Sequence, residues 1–288
     1  MDTPLEVERL AIPKKGRVYE QVLNLMLDCG LKIRREGRLD FCVCKNLGIE
    51  VYFLPAKDIP GAVASGAIHI GVTGIDLIRN ADAEVDQHLE LGVGKARMVL
   101  ASPEGHPWEG PQSLNGQRIG SSYVGVAKQY LEANEVKPAA LVHFDGSVEV
   151  QVSLGVVDAI VEITETGSSL KANRLSIRDE ILESEMVLIS TKGYRSDILD
   201  VIVKRLKRVQ KGRSHVMLKF NLPSARLEDA CALSKGMSSP TVNHLADSEW
   251  VAIEVAVARK EVHALMDSLD SLGAKGILSH ELSLCVPN

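Results

Sequence analysis

The run DAIVEITETGSSL over 158–170 joins an apolar strand to acids, then to hydroxyls and one glycine, with a helical segment after it. Backbone N–H groups at such a helix start, together with the hydroxyls of Thr164, Thr166, Ser168 and Ser169, suit a terminal phosphate. Asp158 and Glu162 stand beside that loop, where carboxylates accept sugar hydroxyls or hold a metal-bound water. The same run also reads as a plain strand ending in a Thr/Ser-capped helix, and spacing alone does not decide between the two. Other groups offer less chemistry. The eight histidines show no HxxxH or similar ligand spacing. Cys42 and Cys44 form a CxC pair, but in the alternating run 39–45 they read as same-face strand residues rather than metal ligands.

The elements that must position these groups follow from periodicity. A strand over 9–13, a turn at 14–17 and a helix closed by Gly30 form the first unit. Strands over 41–45 and 50–54, a helix over 59–65, a strand over 69–73 broken by Gly74 and a helix over 75–79 continue the alternation. Strands alternating with helices imply parallel sheets with ligands at the strand carboxyl ends. A domain crossing is expected near 92–95. Beyond it come strands over 96–102, 118–121, 140–143 and 159–163, with helices near 126–134 and 149–152. A strand over 185–190 and an amphipathic helix over 196–210 end this part. After a basic link at 211–214 the order becomes strand, helix, strand, strand, helix, strand, over 216–221, 225–233, 241–246, 250–257, 261–272 and 276–285. That order predicts a ferredoxin-like α+β unit.

With 288 residues the chain exceeds the usual size of one domain, and 45% hydrophobic residues are enough for sizeable aliphatic cores. The net charge of -5 argues against a broad polyanion-binding surface, hence against a nucleic-acid partner, while leaving room for a local basic pocket. No segment reaches about 18 consecutive apolar residues, so no membrane span is expected. The opening lacks an apolar region of signal-peptide length, which predicts a cytoplasmic protein. Five scattered cysteines read as reduced, packed thiols.

Short matches in a fixed order run along nearly the whole chain: AIPKKGR at 11–17, KDIPG at 57–61, GVTGIDLI at 71–78, LNGQRIGSSY at 114–123, DGSVEV at 145–150 and DAIVEITETGSSLKAN at 158–173. In the last unit SPTVNHLAD at 239–247, WVAIEVAV at 250–257 and LGAKGIL at 272–278 continue them. With these the chain resembles the ATP phosphoribosyltransferases of histidine biosynthesis in their long form.

The resemblance implies an α/β fold with a two-lobed, periplasmic-binding-protein-like catalytic part and a C-terminal ferredoxin-like (ACT-like) α+β domain. Lobe I is then discontinuous, made of 1–95 with 183–210; lobe II is 96–182; the regulatory domain is 211–288. The implied reaction is attack of adenine N1 of ATP on C1 of phosphoribosyl pyrophosphate (PRPP), with pyrophosphate leaving and Mg²⁺ carried by the substrates. It needs no protein nucleophile. Carried over by position, the PRPP site comprises Asp158, Glu162, Thr164, Glu165, Thr166, Gly167, Ser168 and Ser169, with Asp158 or Glu162 near ribose or its metal. Lys14, Gly16 and Arg17 face pyrophosphate or the ATP phosphates. Gly74 and Asp76 line the opposite lobe, with Arg97, Tyr123 and Glu149 also in the cleft. L-Histidine is implied as an inhibitor bound near Lys219, Ser239, Thr241 and Gly276, although a lysine at 219 repels an imidazolium or amino group. A homo-oligomer, dimers assembling to a hexamer, is implied as well.

The chain departs from the family pattern in three places. Pro55 stands where an arginine is expected before the KDIP run, Val124 and Gly125 follow Tyr123 where the pattern reads Ser-Tyr-Pro, and the phosphate loop carries Glu162 in place of aspartate. Two other readings fit the same residues: an intracellular module that closes its cleft on a small anion, and a phosphoribosyltransferase with a different acceptor.

Overall fold

In the computed structural model, residues 7–37, 39–237, 239–246 and 249–286 are described. The first six residues, Asp247 at the end of the 239–247 match, and 287–288 of the regulatory range lie outside them. β1 (Arg9–Pro13) carries no polar alternation, and its Leu10, Ala11 and Ile12 are wholly buried, as an interior strand covered on both faces requires. α1 (Tyr19–Asp28) follows and buries Val22, Leu25 and Met26, spaced so that they share one face. β2 (Phe41–Cys44), β3 (Ile49–Leu54), α2 (Ile59–Ala64), β4 (Ile70–Gly74), α3 (Ile75–Asn80) and β5 (Val85–Glu90) complete the first pass through lobe I.

Lobe II contains β6 (Ala96–Pro103), β7 (Arg118–Ser121), α4 (Val124–Ala133), β8 (Ala140–His143), α5 (Val148–Ser153), β9 (Ala159–Thr164), α6 (Ser168–Ala172) and β10 (Leu175–Ser184). The chain then returns to lobe I as β11 (Met186–Thr191). Strand order is β2-β3-β1-β4-β11-β5 in the first sheet and β10-β6-β9-β7-β8 in the second. These are the two α/β lobes of the periplasmic-binding-protein arrangement. The sheets are mixed rather than parallel throughout. β1 runs parallel to β3 and β4, and β7 parallel to β8 and β9, whereas β11 is antiparallel to both neighbours and β6 to both of its own. Two strands escape the sequence pattern. β5 (burial iieiie) and the ten-residue β10 (BieiieiieB) are half-covered edge strands full of charge, and bulges in β10 spoil its alternation.

The chain crosses between the lobes at 91–95 and at Glu185, and the crossings are bonded to each other. Leu91 N–H donates to Met186 O at 2.8 Å, and Met186 N–H to Val93 O at 3.0 Å. The lobes also meet at α3 and α4. Asn80 Oδ1 accepts from Gly125 N–H at 2.9 Å, which satisfies one orphan donor of the α4 N-terminus from the other lobe.

A second compact unit takes in Asp28–Gly30 and everything from Asp200 on. It begins inside α7 (Asp197–Arg213), which absorbs most of the basic link expected at 211–214 into its last turn. β12 (His215–Pro223), α8 (Leu227–Leu233), β13 (Thr241–His244), β14 (Trp250–Ala258), α9 (Val262–Ser271) and β15 (Lys275–Glu281) follow in the predicted order. The sheet β13-β14-β12-β15 buries Val216, Leu218, Phe220 and Leu222 of β12 with Val251, Ile253, Val255 and Val257 of β14. Alternate residues face away from that core. Among the described residues no helix is long and apolar enough to cross a membrane.

A Cβ placed on Gly125 lands 2.1 Å from the carbonyl oxygen of Asn80, a backbone atom that cannot rotate aside. Gly125→Ala is expected to cost about 1–3 kcal/mol of overpacking, read as a fall on the order of 5 °C in the melting midpoint by differential scanning calorimetry.

Candidate active site

Each lobe turns the carboxyl ends of its parallel strands toward the other. At the end of β9, Thr164 is 7% exposed and its Oγ1 accepts from Gly167 N–H at 2.9 Å, curling the loop tightly. Gly167 has φ 75°, a left-handed conformation that glycine adopts without penalty. Glu165, Thr166, Ser168 and Ser169 are on the open side of the turn, and Thr166 Oγ1 donates to Ser168 Oγ at 3.0 Å. Several hydroxyls and backbone N–H groups on one curled loop make an anion cradle.

Glu162 is buried two residues before Thr164. Burial pushes its carboxyl pKa up, partly offset by a 2.7 Å hydrogen bond from Ser122 Oγ and one from Ile163 N–H, while nearby Glu149, in the first turn of α5, raises it further. Tyr123 reaches the cleft from the end of β7. Burial, then the neighbouring carboxylates of Asp76 and Glu162 and a hydrogen bond to Asp76, drive its phenol far up, so at neutral pH it keeps its proton and donates to Asp76. Asp76, 5% exposed, comes from lobe I; Ser184 Oγ donates to its Oδ1 at 2.6 Å and accepts from its N–H at 3.0 Å. Gly74 leaves room for that carboxylate, since a Cβ there would stand 2.2 Å from Asp76 Oδ1.

Opposite the phosphate loop, Lys15, Gly16 and Arg17 line a cavity of about 200 Å³ with Gly74, Asp76 and Tyr123. Arg17 forms an ion pair with Glu165 across the cleft. Arg97 pairs in register with Thr164, so it flanks the loop, and its guanidinium binds Glu180 at 2.7 Å. A larger cavity of about 410 Å³ is lined by Ile75, Glu90, Lys95, Arg97, Glu165 and Glu185 among others.

Two predicted members are elsewhere. Asp158 sits at the opposite end of β9 from the loop, about 20 Å away by strand rise, and grips Arg118 through Nε at 3.0 Å and Nη2 at 2.7 Å. Arg118 holds its carboxyl below the usual aspartate range, as suits a structural ion pair. Lys14 turns its ammonium to Asp40 at 3.3 Å, with Arg35 binding the same carboxylate, and Lys15 lines the cleft instead. Spacing misses Lys15, Ser122, Ser184, Lys95 and Glu185. Only the doubled lysine of AIPKKGR carries any signal.

In the second unit Lys219 and Thr241 flank Glu254 on one face of the sheet, while Gly276 lies on the far edge strand. Lys219 Nζ binds Glu254 at 2.9 Å, and Thr241 lies opposite Glu254 in register, on the face away from the helices. The Lys219 charge is therefore already paired. Gly276 is on β15, at the other edge of the sheet from β13 with Thr241, about 14 Å across three strand spacings. Ser239 is exposed just before β13. Cys42 and the buried Cys44 lie two apart on β2, and Cys44 Sγ donates to Asn46 Oδ1 at 3.1 Å. Among the described residues no three His, Cys, Asp or Glu gather into a metal-binding group.

Residues 55–208 match the ATP phosphoribosyltransferase family model, and 212–283 match the model described as HisG, C-terminal domain. An ATP phosphoribosyltransferase of Rhodopirellula baltica is 41% identical over 278 residues, 96% of this chain and 93% of that protein. One of Candida albicans is 36% identical, covering 96% of this chain and 95% of the other. The solved ATP phosphoribosyl transferase (HisG:HisZ) complex from Thermotoga maritima superposes with a TM-score of 0.61 at 28% identity, over 70% of this chain and 99% of that one.

Glu162 gives a pH signature. Its folded pKa is raised, so its contribution is fully present below the usual glutamate range and is lost as pH rises through the raised value. Glu162→Gln, which carries no charge to bury, is expected to melt higher than the wild type at pH 8 and to lose that advantage near pH 4, in melting curves across the range.

Proposed function

The chain belongs to the ATP phosphoribosyltransferase family, and from that premise we propose how its cleft carries out phosphoribosyl transfer from PRPP to N1 of ATP, the first step of L-histidine biosynthesis. The observation that carries the assignment is the curled loop 164–169 facing the basic turn of 15–17 across the cleft. The loop hydroxyls hold the 5′-phosphate. Glu162, with Glu149 near it, accepts the ribose hydroxyls, and Arg17 and Lys15 receive the pyrophosphate or ATP phosphates.

The N1 lone pair of adenine forms the bond to C1 as the C1–O bond breaks and its electrons go to pyrophosphate. No side chain needs to attack. The protein aligns two polyanions and supplies positive charge where the leaving group gains its own. Tyr123, a fixed donor between Asp76 and Glu162, links the two lobes when the cleft is closed. Arg17 is held by Glu165, so an incoming phosphate takes the guanidinium from the loop carboxylate.

Mg²⁺ fits this arrangement as a substrate-borne ion. Hard oxygen donors are present at Glu162 and Glu149, close enough for one to raise the other's pKa, and Asp158 is excluded by its clamp on Arg118. Bound to pyrophosphate, the ion offsets leaving-group charge. We also place the chain in the cytoplasm, as a homo-oligomer of dimers up to a hexamer, with its second unit as the regulatory domain.

Purified protein with ATP, PRPP and Mg²⁺, coupled to pyrophosphatase, is expected to turn over only when all three are present. Thr166→Ala should lower kcat/KM roughly 10- to 100-fold, the worth of a charge-assisted hydrogen bond, while Asp158→Asn leaves the KM for PRPP within about twofold. Turnover with another base or nucleotide and none with ATP would point to a changed acceptor; no pyrophosphate release with any would leave the anion-binding module. In the same assay millimolar L-histidine is expected to inhibit, and undiminished turnover rejects the regulatory assignment.

A further inference from the structure

Three segments close around one end of the cleft. Arg17 comes from the turn after β1, Glu165 from the phosphate loop, and Gly94 with Lys95 from the first crossing; together they line a cavity of about 380 Å³. Lys95 and Glu165 are also in the wall of the neighbouring 410 Å³ cavity, beside Arg97 and Glu185. Lys95 thus stands at the junction of both spaces, sharing each wall with a residue of the 5′-phosphate loop.

The cations here differ in what already holds them. Arg17 pairs with Glu165, Arg97 with Glu180 and Lys14 with Asp40. The Lys95 ammonium makes no hydrogen bond or ion pair among the described residues. Burial raises the pKa of Glu185, and Lys95 offsets part of that rise through space. A paired cation must exchange one carboxylate for an incoming phosphate and gains only the difference between two similar interactions. Lys95 breaks no salt bridge or hydrogen bond to meet an anion, only its longer-range attraction to Glu185.

A donor whose 5′-phosphate rests on Thr166, Ser168 and Ser169 turns its C1 oxygen away from that phosphate, across the cavity from the loop. We propose that Lys95 binds the pyrophosphate group of the phosphoribosyl donor and remains on it as it departs. This rests on the phosphoribosyl-transfer reading given above. As the C1–O bond breaks, the bonding electrons pass to the pyrophosphate oxygen, and the added negative charge meets the ammonium with no proton transferred.

Lys95→Met keeps the stem and removes the charge; Lys95→Arg restores the charge. With the full chain, the Met variant is expected to raise both the KM for PRPP and the inhibition constant of pyrophosphate about tenfold, with the KM for ATP within about twofold and the Arg variant recovering most of the loss. Unchanged pyrophosphate inhibition in the Met variant, or an effect confined to ATP, overturns the proposal. Should the wild type show no turnover, the transfer reading fails, and calorimetric titration with Mg²⁺-pyrophosphate judges Lys95 alone. Binding to wild type that Met weakens about tenfold supports it; equal binding, or none, overturns it.

Discussion

The paired crossings between the lobes are the constraint from which the site follows. Backbone groups that pass from one sheet to another lose their ladder partners, and buried ones must find replacements. Here each crossing supplies the other, through Leu91 with Met186 and Met186 with Val93. Once the second crossing is tied beside the first, β11 enters between β4 and β5 against the direction of β4, and the carboxyl ends of β4 and β9 face each other. The phosphate loop and the basic turn, far apart in sequence, are opposed for that reason.

Electrostatics then set what can enter. A chain of net charge -5 must bind two polyanions, so its positive charge has to be local and its acids held in check. Arg17 and Arg97 are neutralised by Glu165 and Glu180, side chains of the loop and of an edge strand. Glu162 is kept where burial favours its protonated form, and the Tyr123 phenol stays protonated between two carboxylates. A ligand phosphate that reaches Arg17 or Arg97 therefore exchanges with the protein's own carboxylates. Exchange of this kind makes affinity a small difference between two strong attractions, which suits a site that must release product.

Much of this is legible in the sequence. Interior strands such as β1, β4 and β9 announce themselves by continuous apolar runs, and the ferredoxin-like order of the last unit by its turns and alternation. The phosphate loop stands out because hydroxyls, glycine and acids cluster within one short run. What stays hidden has physical causes. β5 and β10 are charged edge strands whose pairing partners, β11 and β6, supply the order that their own pattern lacks. Nearness in sequence puts Asp158 with the loop, yet six residues of extended strand carry it to the far end of the sheet. Lys14 and Lys15 differ by one position and point to different partners, a distinction made by the turn rather than by composition. The cross-sheet distance from Thr241 to Gly276 depends on strand order, which no local pattern encodes.

The departures from the family pattern become intelligible together. At the start of α4 the Gly125 N–H donates to Asn80 Oδ1 of the other lobe, and Asn80 approaches so closely that only glycine fits at 125. Pro55 starts the short turn Ala56–Asp58, its carbonyl accepting from Asp58 N–H at 2.9 Å, so the segment holds its shape without offering a guanidinium to the cleft. In the crossing, Lys95 lines both the 410 Å³ and the 380 Å³ cavity. A polyanion site depends on the sum of nearby positive charge more than on which strand bears it.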